Sequence, residues 1–183
     1  MADDALIEDP IFARAEALLE RGSAAGIMIA TAESCTGGMI AGAITDVAGS
    51  SALLDRGFVT YSNEAKAEML GVSSDDIERN GAVSETVATA MAEGALAHSN
   101  ADMAIAVTGV AGPGGGTPDK PVGLVWFACA SAWAPTLATS CQFDDNGRAY
   151  IRHHTVLYAL EIMLDTLESR TSTDGEPEIA GHA

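Results

Sequence analysis

The sequence predicts a three-layer α/β/α sandwich on a mostly parallel sheet, with an antiparallel hairpin at one edge. Short apolar segments of strand length alternate with segments of helical periodicity along the first two thirds of the chain, which is typical of parallel βαβ units. Two more strand-like segments follow, and the turn between them is too short for a helical crossover. The length of 183 residues and the 48% of hydrophobic residues fit one domain with a buried core.

The first half of the chain contains two units of a strand followed by a helix. Before them, Asp9 at an N-cap and Pro10 at the first helical position predict a helix that ends at Gly22. The apolar run after Gly22 is too short for a helix and has the length of a buried strand. The predicted elements are a strand over Gly26–Thr31, a helix over Ser34–Val47, a strand over Arg56–Tyr61 and a helix over Asn63–Leu70.

The second half is predicted to complete the sheet and cover it with one long helix. Ser84 is placed to cap a well-patterned amphipathic helix. We expect a single domain over residues 1–170 and a disordered polar tail over 171–183. The predicted elements are helices over Ser73–Arg79 and Glu85–His98, strands over Asp102–Thr108, Val122–Ser131 and Thr136–Phe143, and a helix over Gly147–Leu167.

Composition excludes several classes of function. The 26 acidic and 9 basic residues give a net charge of −17, which would repel nucleic acid and anionic membrane surfaces. No segment approaches the roughly 18–20 apolar residues of a membrane span, and Met1–Pro10 is acidic, so we expect a cytoplasmic protein without membrane contact. Three cysteines without a CxxC pair and four histidines without metal-ligand spacing predict reduced thiols and no metal or other cofactor.

The first candidate site is the segment TAESCTGG at Thr31–Gly38, where a strand gives way to a helix. A hydroxyl at a helix N-terminus faces unpaired N–H groups that favour developing negative charge, so Ser34 is a candidate nucleophile. Alternatively, Ser34 only caps the helix, and Gly37 and Gly38 only allow close packing. Both interpretations stay open at this point.

The second candidate site follows the next strand, at Tyr61 and Lys66. A serine nucleophile needs a base, and a lysine that burial keeps neutral can supply one. Alternatively, Lys66 is a solvated lysine paired with Glu64 or Glu68, and Tyr61 is a core aromatic residue.

The Gly-rich loop at Gly109–Pro121 is the third candidate, because open α/β sheets bind ligands beyond the carboxyl ends of their strands. The loop lacks the spacing of a P-loop or a dinucleotide fingerprint. Arg148, with Arg152 one turn later, could bind a phosphate, or both arginines could simply be exposed on a helix.

Five distinctive segments follow one another along the chain: TAESCTGG at Thr31–Gly38, ITDVAGSSALLDRGFVTYSNEAK at Ile44–Lys66, GAVSE at Gly81–Glu85, TGVAGPGGG at Thr108–Gly116 and KPVGLVWFA at Lys120–Ala128. Together they resemble the C-terminal domain of the competence/damage-inducible protein CinA. The resemblance implies hydrolysis of the carboxamide of nicotinamide mononucleotide to nicotinate mononucleotide and ammonia, without a metal, in pyridine-nucleotide recycling.

The resemblance also implies roles for individual residues. It places the family's serine and lysine on Ser34 and Lys66 and its tyrosine on Tyr61. Backbone N–H groups near Ser34 are expected to hold the oxyanion, while the ribose and phosphate are held by the Gly-rich loop and its neighbours. The residues expected to contact substrate are Glu33, Cys35, Thr36, Gly37, Thr108, Gly109, Gly112 and Arg148.

Two alternatives from other classes remain at the level of the sequence. A non-catalytic nucleotide-binding or interaction module would keep the Gly-rich loop and Arg148 without needing a neutral Lys66. A cysteine hydrolase would use Cys35 with His153 or His154 as its base. The expected partner of the chain is a small nucleotide substrate, and the chain could form a homodimer.

Overall fold

The computed structural model describes residues 9–173, which form one five-stranded sheet and six α-helices. A short 3₁₀ helix at Ser50–Ala52 precedes the second strand. The strands are β1 (Ile29–Glu33), β2 (Leu54–Val59), β3 (Met103–Gly109), β4 (Leu124–Ser131) and β5 (Leu137–Gln142). The helices are α1 (Pro10–Ala24), α2 (Met39–Thr45), α3 (Asn63–Leu70), α4 (Ser74–Asn80), α5 (Glu85–Ala97) and α6 (Arg148–Thr173).

The sheet has the order β2-β1-β3-β4-β5. Strand β1 lies between β2 and β3 and pairs with both in parallel, while β4 pairs antiparallel with β3 and β5. The mostly parallel sheet with an antiparallel hairpin at one side is therefore confirmed. The parallel arrangement brings the carboxyl ends of β1, β2 and β3 to the same edge of the sheet.

Strand β3 shows how one sequence pattern builds two cores. Met103, Ile105 and Val107 point towards α1, α2 and α6, whereas Ala104 and Ala106 point towards α3, α4 and α5. The small alanine side chains let α5 approach the sheet closely, and alternation with period two separates the two faces. Both cores are nearly solvent-free, so β3 forms the rigid centre of the molecule.

Helix α2 begins at Met39 rather than at Ser34, which corrects the predicted boundary. Gly37 and Gly38 have positive φ angles of 63° and 98°, so the chain makes a turn before it becomes helical. Ser34 therefore lies at the end of β1 and at the start of this turn, and it does not cap α2. The expectation that a helix N-terminus directly faces its hydroxyl was wrong.

The first helix also ends later than predicted. Gly22 is buried inside α1, where a Cβ atom would lie 2.4 Å from Leu53 Cδ1, so this glycine permits close packing and does not end the helix. The left-handed turn after the helix comes instead at Gly26, whose φ is 64°.

The last helix extends six residues beyond its predicted end, to Thr173. The rest of the predicted tail, residues 174–183, lies outside the described residues, as do residues 1–8. Within residues 9–173, every helix is too short or too polar to span a lipid bilayer. Over the same residues, no three His, Cys, Asp or Glu side chains converge in a way that could hold a metal ion.

Candidate active site

A pocket of about 220 Å³ opens at the carboxyl ends of β1, β2 and β3. Ser34 follows β1, Tyr61 follows β2, and Thr108 lies at the end of β3, so sheet topology brings together residues that are far apart in the chain. The pocket is small compared with the usual range for a drug-sized ligand. Its lining residues are Ser34, Cys35, Tyr61, Asn63, Lys66, Ala82, Val83, Thr108, Gly109, Ala111 and Arg148.

Ser34 and Lys66 form the central pair of the pocket. Lys66 Nζ lies 3.1 Å from Ser34 Oγ and donates a second hydrogen bond of 2.8 Å to the carbonyl oxygen of Thr60. Lys66 reaches this position from the first turns of α3, which Ser62 caps by accepting from the N–H of Ala65. Only 1% of Lys66 is exposed, and it takes part in none of the ion pairs of residues 9–173, so the interpretation as a solvated, paired lysine was wrong.

Burial lowers the pKa of Lys66 below its usual value, with a smaller opposing effect from Cys35. Its two contacts are to a carbonyl oxygen and a hydroxyl oxygen, and neither is a negative charge that would stabilise the ammonium form. A larger fraction of Lys66 is therefore neutral than of an exposed lysine at the same pH. The neutral amine has a lone pair that can accept the Ser34 proton.

Cys35 lines the same pocket but is a poor candidate nucleophile. Burial raises the pKa of its thiol to about 12, so the thiol remains protonated near neutral pH. His153 and His154 do not line the pocket, and His154 Nδ1 lies 2.9 Å from the carbonyl oxygen of Tyr150 in its own helix. The structure thus does not bring the predicted histidine base to Cys35.

Glu33 was predicted to contact substrate, but the structure does not bring it into the pocket. Its side chain is fully buried beneath the turn that follows β1. The carboxylate accepts from the Thr31 hydroxyl at 3.3 Å and stabilises the start of α2. It also accepts three backbone N–H groups at 2.9–3.0 Å, those of Gly38, Ile40 and Ala41.

Thr36 and Gly37 were also predicted to contact substrate, and neither lines the pocket. Thr36 is fully buried, and its carbonyl oxygen accepts from Arg152 Nη2 at 2.7 Å. Arg152 Nε donates to the carbonyl oxygen of Cys35 at 3.1 Å, so Arg152 is engaged with backbone carbonyls next to Ser34. Arg152 and Thr36 thus stabilise the turn after β1 on the side that does not face the pocket.

Arg148 joins the rim of the pocket to the Gly-rich loop. Its Nη2 donates to the Tyr61 hydroxyl at 3.1 Å, and its Nη1 donates to the carbonyl oxygen of Gly112 at 3.0 Å. Tyr61 is 63% exposed, so the interpretation as a core aromatic residue was wrong. Gly112 does not line the pocket, but its carbonyl holds the guanidinium that does. Arg148 keeps further N–H donors available for a ligand.

Thr108 and Gly109 line the pocket as predicted, and sequence reasoning missed their neighbours across it. The Thr108 hydroxyl donates to the carbonyl oxygen of Ala82 at 2.8 Å, which ties β3 to the GAVSE segment. That segment was one of the five that carried the family resemblance and could have been read as part of the site. The lining residues without a predicted role are Asn63, Ala82, Val83 and Ala111.

Eight of the nine lysine and arginine residues fall into two groups, and the ninth, Arg170, lies over the ring of Trp133. Four arginines outside the site form ion pairs with carboxylates: Arg14 with Glu161, Arg21 with Glu168, Arg56 with Asp55 and Arg79 with Asp76. Four other basic side chains donate to uncharged oxygen atoms, most of them backbone carbonyls, and have no carboxylate partner in the described part of the chain: Lys66, Lys120, Arg148 and Arg152. Because burial lowers the pKa of Lys66, the lasting positive charge at the site comes from Arg148 on its rim and from Arg152 behind the turn. In a strongly acidic protein this charge favours an anionic ligand.

Comparisons with known proteins match most of the chain. The family model described as the CinA C-terminal domain matches residues 12–167. The chain is 50% identical over 140 residues to the nicotinamide-nucleotide amidohydrolase PncC of Escherichia coli, which covers 76% of this chain and 84% of that protein. It is also 50% identical over 161 residues to a CinA-like protein of Mycolicibacterium vanbaalenii, of which it covers 36%.

Solved structures share the architecture. The competence/damage-inducible protein CihA from Agrobacterium tumefaciens is 50% identical, with a TM-score of 0.85 over 87% of this chain and 96% of that one. A CinA-superfamily protein from Escherichia coli is 36% identical, with a TM-score of 0.81 over 85% of this chain and 90% of that one.

Proposed function

This chain belongs to the CinA C-terminal domain family, and from that membership and its site we propose that it is a nicotinamide-nucleotide amidase with a serine–lysine mechanism. Its 50% identity to amidohydrolases of that name supports the hydrolase class and the nucleotide substrate. The observation that carries the mechanism is the 3.1 Å separation of Ser34 Oγ and the Nζ of Lys66, which is buried and has no ion-pair partner among residues 9–173.

Acylation begins with neutral Lys66. Its lone pair accepts the proton of Ser34 while Oγ attacks the carboxamide carbon, and the carbonyl electrons move onto the oxygen. As the tetrahedral adduct collapses, the carbon–nitrogen bond breaks, and the Lys66 ammonium returns the proton to the leaving nitrogen. Ammonia departs, and the nicotinoyl group remains as an ester on Ser34.

Deacylation uses the same pair. A water molecule attacks the ester carbonyl and gives its proton to Lys66. When this second adduct collapses, the carbon–Oγ bond breaks and Lys66 returns the proton to Ser34. The product carries a carboxylate where the substrate had a neutral amide, and this nicotinate nucleotide would re-enter pyridine-nucleotide recycling.

Residues at the rim are proposed to hold the nucleotide. The Arg148 guanidinium binds the phosphate, because it lines the pocket and has no carboxylate partner among residues 9–173. The Thr108 hydroxyl donates to Ala82 and keeps its lone pairs for a ribose hydroxyl or the amide N–H. Tyr61, in contact with Arg148, orients the phosphate end or relays a proton to Lys66.

Ammonia release measures the proposed activity directly. Purified protein should release ammonia from nicotinamide mononucleotide much faster than from free nicotinamide, because free nicotinamide lacks the phosphate. Ser34→Ala should reduce kcat by several orders of magnitude, whereas Cys35→Ala should keep most of it. Binding of the mononucleotide without ammonia release would instead support a non-catalytic nucleotide-binding module. An inactive Cys35→Ala variant together with an active Ser34→Ala variant would show that the Cys35 thiol is the nucleophile.

A further inference from the structure

Arg152 lies in α6, one turn after Arg148, behind the turn that carries Ser34. Its guanidinium donates to two consecutive carbonyl oxygens, those of Cys35 at 3.1 Å and Thr36 at 2.7 Å. It does not line the pocket, and no carboxylate in the described part of the chain pairs with it. A half-buried cation is thus held by the two carbonyl groups that directly follow the nucleophile.

The N–H groups of this turn can be assigned one by one. The N–H of Ser34 donates to the carbonyl oxygen of Val107 at 3.1 Å, and the N–H of Gly37 donates to the carbonyl oxygen of Ser34 at 3.2 Å. The N–H of Gly38 donates to the Glu33 carboxylate at 3.0 Å. None of these three groups can bind an oxyanion without losing its partner.

Two N–H groups of the turn remain, those of Cys35 and Thr36, and neither donates to an oxygen atom of residues 9–173. Thr36 is fully buried and does not line the pocket, whereas Cys35 does. The N–H of the residue after a nucleophile is a common oxyanion donor, because the attacked carbonyl oxygen forms beside it. The Cys35 N–H is therefore the group in this turn that an oxyanion can reach.

A chain of hydrogen bonds connects Arg152 to that N–H. The guanidinium donates to the carbonyl oxygen of Thr36, which belongs to the same peptide unit as the N–H of Gly37. That N–H donates to the carbonyl oxygen of Ser34, which belongs to the same peptide unit as the N–H of Cys35. In a trans peptide the C=O and N–H bonds point in opposite directions, so each of these two peptide units has its C=O towards the guanidinium and its N–H on the far side. A cation at one end of such a chain strengthens every donor along it.

We propose that Arg152 is a positioning residue that orients and polarises the Cys35 N–H as the oxyanion donor for attack by Ser34. This inference rests on the serine–lysine function proposed above. The guanidinium holds two carbonyl groups away from the pocket and thereby fixes the turn. Its charge adds to the stabilisation of the oxyanion through the hydrogen-bonded peptide units and not by contact with substrate.

The test compares Arg152→Ala and Arg152→Lys with the wild type. Arg152→Ala should reduce kcat by up to the roughly hundredfold to thousandfold loss that follows removal of a whole oxyanion donor, with KM for the mononucleotide little changed. Arg152→Lys should recover part of kcat, because one ammonium group can reach only one of the carbonyls well. Methylguanidinium added to Arg152→Ala should restore part of the lost rate, which a general loss of folding would not allow.

The matched control is Arg14→Ala, which removes an arginine that α6 also contacts, through Glu161; neither residue lines the pocket. Its kcat should equal that of the wild type. Two results would overturn the proposal. One is a rise in KM at unchanged kcat, which would mean that Arg152 binds the phosphate. The other is a loss of kcat in Arg152→Ala that methylguanidinium does not restore and that is proportional to the fraction of unfolded protein.

A fluorophosphonate separates this inference from the proposed function, because it reacts with Ser34 without any amide substrate. Attack forms the Oγ–P bond and expels fluoride, and the phosphoryl oxygen takes the place of the oxyanion. Intact mass should show slower labelling in Arg152→Ala than in the wild type, even if no nicotinamide nucleotide is hydrolysed. Equal labelling rates would overturn the role of Arg152 alone, and a wild type that is neither labelled nor active would overturn both proposals.

Discussion

At the residue scale, Lys66 is the side chain whose environment differs most from what its type prefers. Lysine is almost never fully buried without a counter-charge, yet Lys66 is 1% exposed and contacts only uncharged oxygen atoms. Burying the ammonium lowers the free energy of unfolding, and it also lowers the pKa of the amine beside Ser34. In the proposed mechanism the same burial serves catalysis, and it weakens the fold at neutral pH.

The pH dependence of activity should report the lowered pKa of Lys66. The quantity kcat/KM should rise with pH along a limb that lies below the usual pKa of about 10.4 for lysine, because only the neutral amine accepts the Ser34 proton. Lys66→Arg should be nearly as inactive as Lys66→Met, because a guanidinium stays charged. An active Lys66→Arg variant would show that Lys66 is not the base.

The pH dependence of stability should follow from the same pKa. Between the lowered pKa of folded Lys66 and about 10.4, the unfolded chain binds a proton that the folded chain has released, so the free energy of unfolding rises with pH. Measured against Lys66→Met, which has no proton to bind, the wild type should gain stability over this interval. Urea unfolding at a series of pH values gives the difference, and a flat difference would contradict the burial argument.

At the element scale, the turn between β1 and α2 depends on Glu33. Its carboxylate takes the place of an N-cap side chain, which α2 lacks because Gly38 occupies the cap position. It accepts from three backbone N–H groups there and from the Thr31 hydroxyl at the other side. The position of Ser34 is thus fixed by a buried acid next to it in sequence.

Glu33→Gln should destabilise this turn. Both carboxylate oxygens accept backbone N–H groups, so the amide nitrogen of glutamine leaves at least one buried donor unpaired, at a cost of about 1–3 kcal/mol in the free energy of unfolding. We also expect a lower kcat, because Ser34 shifts with the turn. Denaturant unfolding measures the loss, with the exposed Glu16→Gln as a charge-matched control. Equal stability of the two variants would contradict the capping role.

At the scale of the whole molecule, the distribution of charge matters more than its total. The chain carries a net charge of −17, yet Arg148 on the rim of the pocket and Arg152 beside it form no ion pair with a carboxylate in the described residues. Elsewhere, arginines are paired with acids on the surface. This arrangement repels anions from most of the surface and attracts them to one edge of the sheet.

Arg148→Ala should therefore weaken binding of the phosphorylated substrate. A charge-assisted contact of about 1.5–3 kcal/mol corresponds to a rise in KM for the mononucleotide of roughly tenfold to a hundredfold. Slow hydrolysis of the phosphate-free riboside should change little. Arg79→Ala, which removes an exposed arginine paired with Asp76, is the control for net charge. If Arg148→Ala raises KM equally for the mononucleotide and the riboside, Arg148 acts through Tyr61 or the Gly-rich loop instead.

The sequence by itself determined the architecture and predicted that Ser34 and Lys66 lie together. Period-two and helical patterns are local, so they predicted the order of elements, the antiparallel hairpin and the bounds of α3 without knowledge of the packing. Parallel connectivity then required Ser34 and Lys66 to reach the same edge of the sheet, and the structure brings them together. The single-domain extent of 1–170, the cytoplasmic location and the homodimer stay predictions.

Only the tertiary structure decided what each side chain does. Whether Lys66 is solvated or buried depends on the packing of α3 against the turn after β1, across 32 residues of sequence. Glu33 and Ser34 are neighbours in the chain, yet one caps a helix and the other lines the pocket. Arg152 meets the turn across more than a hundred residues. Desolvation and hydrogen bonding depend on such distant contacts, which no local pattern encodes.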